Sequence, residues 1–360
     1  MRLTAALIPL AVLALAACGR GTRTEPAPPA PVDVREVAAA DGYGTSGESV
    51  RAVAFWSHPS VNFQSLVIAA TDQGLRAYNI ETGDLIASAN APADDIKITY
   101  IGTGPKAEAY AVTRNGDAYE VYSIANDATT LSPLASTGAK AGAGAFCVSG
   151  GVLYEAGADK LVARDISILT GGVVISDARE IASLPGAAAC HVDDRTGDVV
   201  TISSDGAIKR IDPKTGESFG LAFVAGPRPG PSALFPMMTP EPGNANGGAI
   251  AVLDEASGVI SLFDLIDGHA LGAVRIKATF DLDAVASATT IAAGYGNYGS
   301  VYRDGVLAVV TAGDGAPIRL APWNGVLAAL NLTLGENVDP RSPQAEELKE
   351  RVIDIEFKQP

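Results

Sequence analysis

The chain has 360 residues, 26 basic against 41 acidic, and a formal charge of −15. Hydrophobic residues make up 47% and charged ones only 19%, so it can bury a core and is not a disordered polymer. The acidic balance excludes a nucleic-acid binder, which needs a basic face to release counterions. Three cysteines and three histidines exclude a disulfide scaffold or a zinc cluster.

In chain order, Arg2 precedes an apolar run, Leu3 to Ala17, broken only by Thr4 and Pro9. The run is short for a hydrocarbon layer of roughly 30 Å and has the form of a secretory h-region. It ends Leu15-Ala16-Ala17-Cys18-Gly19, which resembles the bacterial lipobox. Residues 1–17 therefore read as a lipoprotein signal peptide, with Cys18 acylated as the new N-terminus. Residues 18–47, carrying Pro26, Pro28, Pro29 and Pro31, read as a Pro/Ala-rich tether that holds a folded body off the membrane. The expected location is the bacterial cell envelope, lipid-anchored, and Gly19 after the cysteine favours the outer membrane.

From residue 48 to 332 short apolar runs alternate with Gly, Asp and Asn turns. Ser65 to Thr71 is followed by Asp72-Gln73-Gly74, then Leu75 to Ile80, then Glu81-Thr82-Gly83-Asp84 and Leu85 to Ala89. The same phrase returns around Asn115-Gly116, Asp205-Gly206 and Ser257-Gly258. Apolar runs joined by tight Gly turns predict hairpins, and a period of about 40–50 residues is that of a propeller blade. Units near 50–90, 95–137, 143–183, 187–224, 232–278 and 283–332 predict an all-β chain. The expected fold is a six-bladed β-propeller, each blade a four-stranded antiparallel sheet. Residues 333–360 read as a C-terminal loop followed by a short helix over Gln344 to Val352.

The sequence holds no Gly-x-Ser-x-Gly elbow. His58, before Pro59, reads as a loop residue, and Gly294-Tyr295-Gly296 reads as a turn. Cys147 and Cys190 occupy matching places in adjacent units. Equivalent strands of neighbouring blades seldom bring Cα atoms under about 7 Å, so two buried free thiols are expected. Most aspartates sit beside turn glycines, where their side chains bond the local backbone.

Trp56-Ser57-His58-Pro59, then a strand ending Thr71-Asp72-Gln73-Gly74-Leu75-Arg76-Ala77-Tyr78-Asn79, resembles the opening of the β-propeller phytases. Glu120-Val121-Tyr122-Ser123-Ile124, Asp193-Asp194-Arg195-Thr196-Gly197 and Pro317 to Trp323 are similar to later motifs of that family, in order, over about residues 48–330. The resemblance implies Ca²⁺ ions and basic side chains binding phosphates at the channel mouth, with a calcium-activated water attacking phosphorus. It implies Arg114 and Lys160 as phosphate-binding residues. Asp94, Asp95, Asp193 and Asp194 are the candidate metal ligands, with Asp281 and Asp283 beside them. No catalytic residue is assigned. The family's acidic pair falls at Arg51 and Ala52, and its blade-four glutamate at Ala188. The expectation is thus a binding or assembly module descended from a calcium-dependent phytase. Its expected partners are the membrane, through lipid on Cys18, and either an anionic or phosphorylated small molecule or an envelope protein. The alternative is an active 3-phytase-type phosphomonoesterase acting on inositol phosphates.

Overall fold

The structure is a computed structural model that describes residues 33–44, 47–138, 140–142, 144–170, 172–184, 186–224, 230–237, 247–312, 316–333 and 338–343. The expected signal peptide, Cys18, most of the expected tether and the helix expected over 344–352 lie outside the described residues. No helix among the described residues is long and apolar enough to cross a membrane.

Six sheets form the six blades of a propeller. Blade 1 runs Val50–Trp56, Leu66–Thr71, Gly74–Asn79 and Leu85–Ala89 from the axis outward. Blade 2 runs Asp95–Ile101, Glu108–Asn115, Ala118–Ile124 and Leu131–Leu134. Blade 4 has the same plan, from Ala187–Asp193 to Ser218–Phe223. Blade 3 departs from it, because its third strand, Lys160–Leu169, is long enough to pair twice. Arg179–Ser183 takes its first half and Gly172–Ile175 its second, and Ser136–Gly138 adds a parallel strand at the edge. The turns use glycine where the chain needs a left-handed bend. Gly74 has φ +135°, and a Cβ there would lie 2.0 Å from the Ala89 carbonyl oxygen.

The last two blades borrow from the start of the chain. Blade 6 contributes Thr290–Gly294, Val306–Val310 and Ile318–Pro322, and its outer strand is Asp41–Tyr43, antiparallel with Asp41 opposite Leu320. Val34–Ala38 adds a parallel strand to Ala270–Lys277 on the edge of blade 5. Residues 34–43, expected in the tether, therefore belong to the propeller. A closed ring needs its first and last blades joined, and a strand borrowed from the other terminus does this by ladder hydrogen bonds. Tyr43 carries the seam further, its hydroxyl donating to the Ile80 carbonyl of blade 1 at 2.6 Å.

Each junction between neighbouring blades holds its own apolar cluster, from Trp56, Ile68 and Ile96 between blades 1 and 2 round to Tyr43, Val53 and Val306 between blades 6 and 1. A blade is apolar on both faces and buries neither alone, so the six faces stack into a ring. The described helix, Trp323–Ala329, follows the strand whose tryptophan was expected to close blade 6. Its Trp323 ring stacks on Phe235 of blade 5 with centroids 3.5 Å apart.

Cys147 and Cys190 form a disulfide, not two free thiols, with Cα atoms 5.3 Å apart. Both lie on innermost strands, Ala145–Ser149 and Ala187–Asp193, and blades that radiate from an axis come closest where they meet it. The bond closes a loop with a sequence separation of 43, which restricts the unfolded chain. The double substitution Cys147→Ala/Cys190→Ala is expected to lower stability by about 2–4 kcal/mol in urea unfolding. An unchanged midpoint would show that the bond adds nothing to the ring.

Candidate functional site

The innermost strands of the six blades line an axial channel. Their starts surround an upper chamber of about 360 Å³, walled by Arg51, Asp94, Asp95, Arg114, Ala188 and Glu255. Their ends surround a lower chamber of about 580 Å³, walled by Tyr100, Ser149, Asp194, Tyr295, Tyr298 and Arg341 among others. Val53, Lys97, Cys190, His191, Ser232 and Ile291 line both and form the waist between them.

In the upper chamber each described cation already has a partner. Arg51 forms an ion pair with Asp94, which also accepts from the Gly116 amide at 2.9 Å. The Gly116 amide first, and then Arg51, hold the Asp94 carboxyl below its ordinary value. Lys97 Nζ lies 2.7 Å from Asp95 Oδ1 and 5.5 Å from the Phe146 ring centroid. Arg114 also lines this chamber, where it donates to the Gly144 carbonyl and lies over the same ring at 5.6 Å. Lys160 lines neither chamber; it is exposed beside Glu180, 3.9 Å away.

The candidate metal ligands do not come together. Asp94 and Asp95 stand at the start of their strand and Asp194 just past the end of its own, on opposite sides of the waist. Seven strand residues at about 3.3 Å each separate such ends by roughly 20 Å. Asp193 is fully buried and clamped by Arg195 at 2.7 Å and Arg210 at 3.5 Å. Asp281 and Asp283 are exposed on the segment before blade 6 and line neither chamber. Calcium needs six to eight oxygens in one place, and these residues do not supply them. His58 is a loop residue as expected, its Nδ1 accepting from the Ser60 and Val61 amides at 3.1 and 2.9 Å.

The lower chamber was not foreseen. Tyr295, beyond the inner strand of blade 6, donates its hydroxyl to Asp194 Oδ2 on blade 4. Ser149 of blade 3 also bonds the carboxyl side chain of Asp194. Asp194 lies deep in the molecule yet keeps accessible surface, and burial pushes its carboxyl up to about 6. The Tyr295 phenol is raised well above its ordinary value by burial and then by the Asp194 charge. At the waist His191 Nε2 lies 2.7 Å from Ser232 Oγ, and burial, then Lys97, push its imidazole down to about 3. An imidazole so depressed is a poor base for that serine, because efficient general bases sit near the working pH.

The segment 338–343 returns beneath blades 1 and 2 and completes this chamber. Arg341, 2% exposed, donates from Nε to the Ser57 carbonyl at 2.7 Å and from Nη1 to the Ala107 carbonyl at 2.6 Å. Its guanidinium lies over Trp56 at 5.4 Å and Tyr100 at 4.9 Å. The Gly104 amide donates to its carbonyl at 2.8 Å. Lys97, between Ile96 and Ile98 in the run DIKITYI, and His191, between Cys190 and Val192 in AAACHVD, are polar residues flanked by apolar ones, and that was the available signal. Tyr295, Asp194 and Arg341 meet only through the ring.

No protein-family model matches the chain, and no curated relative matches it. The fold is similar to a chain in the crystal structure of the mitotic checkpoint complex, at 14% identity over 84% of each chain with a TM-score of 0.43. It is also similar to the computationally designed Ika8 protein, at 16% identity over 77% of this chain and 71% of that one, with a TM-score of 0.35. Neither likeness bears on function.

The raised Asp194 carboxyl fixes a sign. Its proton is held more tightly in the folded state, so its contribution is complete below about pH 4 and is lost as pH rises through about 6. Asp194→Asn keeps the shape and removes the charge. It is expected to stabilise the protein by about 1–2 kcal/mol at pH 7.5, less than the full shift implies because the carboxyl faces channel water. At pH 4 it should leave stability unchanged, and equal effects at both pH values in urea unfolding would refute this.

Proposed function

We propose that this chain is a binding module on a phytase-like propeller scaffold, lipid-anchored through Cys18 in the bacterial envelope, which takes a small molecule into its axial channel. The lower chamber carries this reading. At about 580 Å³ it falls in the size range of small-molecule sites, with apolar and polar surface in about equal parts and several polar groups converging on it. The upper chamber supports binding over phosphate-ester hydrolysis, because Arg51, Ala52 and Ala188 stand where the phytase pattern has acids. Of the acids named as metal ligands, only Asp94 and Asp95 reach that mouth, each paired with a cation. The disulfide supports export, since such bonds persist in oxidising compartments.

The mature chain, purified in detergent, is expected to release no phosphate from phytate at any calcium concentration, and calcium is expected not to raise its melting temperature. Calcium-dependent release abolished by Asp94→Asn would establish the phytase reading instead. Anchoring has a separate test. Cys18→Ser should move the protein from the membrane fraction to the soluble one, and retention in the membrane would remove the lipid from the account.

A further inference from the structure

Four basic side chains, Arg51, Lys97, Arg114 and Arg341, and four acidic ones, Asp94, Asp95, Asp194 and Glu255, wall the two chambers, but they are not all paired with one another. Of the acids and bases that wall the lower chamber, Lys97 and Arg341 are cationic and Asp194 is the carboxyl. Lys97 is held by Asp95 at 2.7 Å. Arg341 is committed to two backbone carbonyls and to the faces of Trp56 and Tyr100. Asp193, the neighbouring acid, is neutralised by Arg195 and Arg210. Asp194 has only the hydroxyls of Ser149 and Tyr295, both uncharged donors, and no ion pair among the described residues includes it. A carboxylate kept deep in a protein without a counter-charge is costly, and a positive group brought into the chamber would relieve that cost.

The walls suit the same kind of guest. Tyr295, bonded to the carboxyl, and Tyr100 both keep surface toward the chamber, and Tyr298 lies beside them with its hydroxyl donating to the Tyr295 carbonyl at 3.2 Å. Aromatic faces beside a carboxylate are the chemistry that recognises amines and quaternary ammonium groups. An anion entering here would meet the Asp194 charge; Lys97 is held by Asp95, and the one Arg341 nitrogen without a hydrogen-bond partner, Nη2, is buried and offers the chamber no surface.

We propose that the lower chamber binds a small organic cation, an amine or quaternary ammonium compound, with Asp194 as its counter-charge and tyrosine rings as its walls. This rests on the reading of the channel as a ligand site and reverses the phosphorylated guest that the phytase resemblance implies. Binding then depends on pH through Asp194. The groups facing it are Ser149, Tyr295 and Asp193, with Lys97, His191 and Arg341 elsewhere on the chamber wall. Burial, and then Lys97, hold the His191 imidazole far below its ordinary value, so it stays neutral across this range.

The test is isothermal titration of the mature chain in detergent with choline, putrescine, glucose and inorganic phosphate, at pH 7.5 and pH 5. Choline or putrescine is expected to bind at pH 7.5 and about tenfold more weakly at pH 5, as the carboxyl takes up its proton. Asp194→Asn should weaken it at least tenfold at pH 7.5, and Tyr295→Leu several-fold. If Asp194→Asn does not fold, Tyr295→Leu and the choice among the four probes decide. Amine binding that ignores both pH and Asp194→Asn overturns the proposal. Binding of phosphate or glucose in place of the amines overturns it too, while leaving the channel as a ligand site. No binding by any probe removes the proposal and the ligand-site reading together.

Discussion

Closure of the ring is the constraint on which everything else in this protein depends. Blade 6 supplies only three strands from its own stretch of chain, and Asp41–Tyr43 completes it from the other end. Without that strand the ladder of Ile318–Pro322 has no outer partner, and the apolar faces between blades 6 and 1 lose the hold that Tyr43 and Asp41 give them. A propeller blade cannot cover its own faces, so each junction cluster is stable only while the ring stays shut. The disulfide between the inner strands of blades 3 and 4 adds a second clasp at the axis.

The channel follows from that closure. Six inner strands arranged side by side put their starts at one mouth and their ends at the other, so residues far apart in sequence become neighbours according to their place along a strand. Tyr295 and Asp194 are 101 residues apart and hydrogen-bonded. Asp94 and Asp194 both adjoin inner strands, yet they stand on opposite sides of the waist. The return of segment 338–343 under blades 1 and 2 adds Arg341, whose guanidinium fills the gap between Trp56 and Tyr100. The charge kept on Asp194 opposes stability at neutral pH, because burial favours the protonated carboxyl.

Much of the architecture was legible. Turn glycines such as Gly74 and Gly116 punctuate apolar runs at a blade's period, because a tight hairpin needs a residue that tolerates positive φ. That spacing placed all six units. It could not show that residues 34–43 belong to the ring, since a short strand in a proline-bearing region has no period of its own. Nor could it show that Cys147 and Cys190 meet, because their distance depends on both lying on the innermost strand, where blades converge.

The site was legible only at its rim. Arg114, Asp94 and Asp95 line the upper chamber together with Arg51, Ala52 and Ala188. The sequence by itself determined an all-β chain of six repeating units, because strand period and turn chemistry are local properties. Only the tertiary structure decided which terminus closes the ring, which thiols pair, and which carboxyl is left without a cation. Those depend on distances across the axis, and nothing along the chain encodes them until the ring is closed.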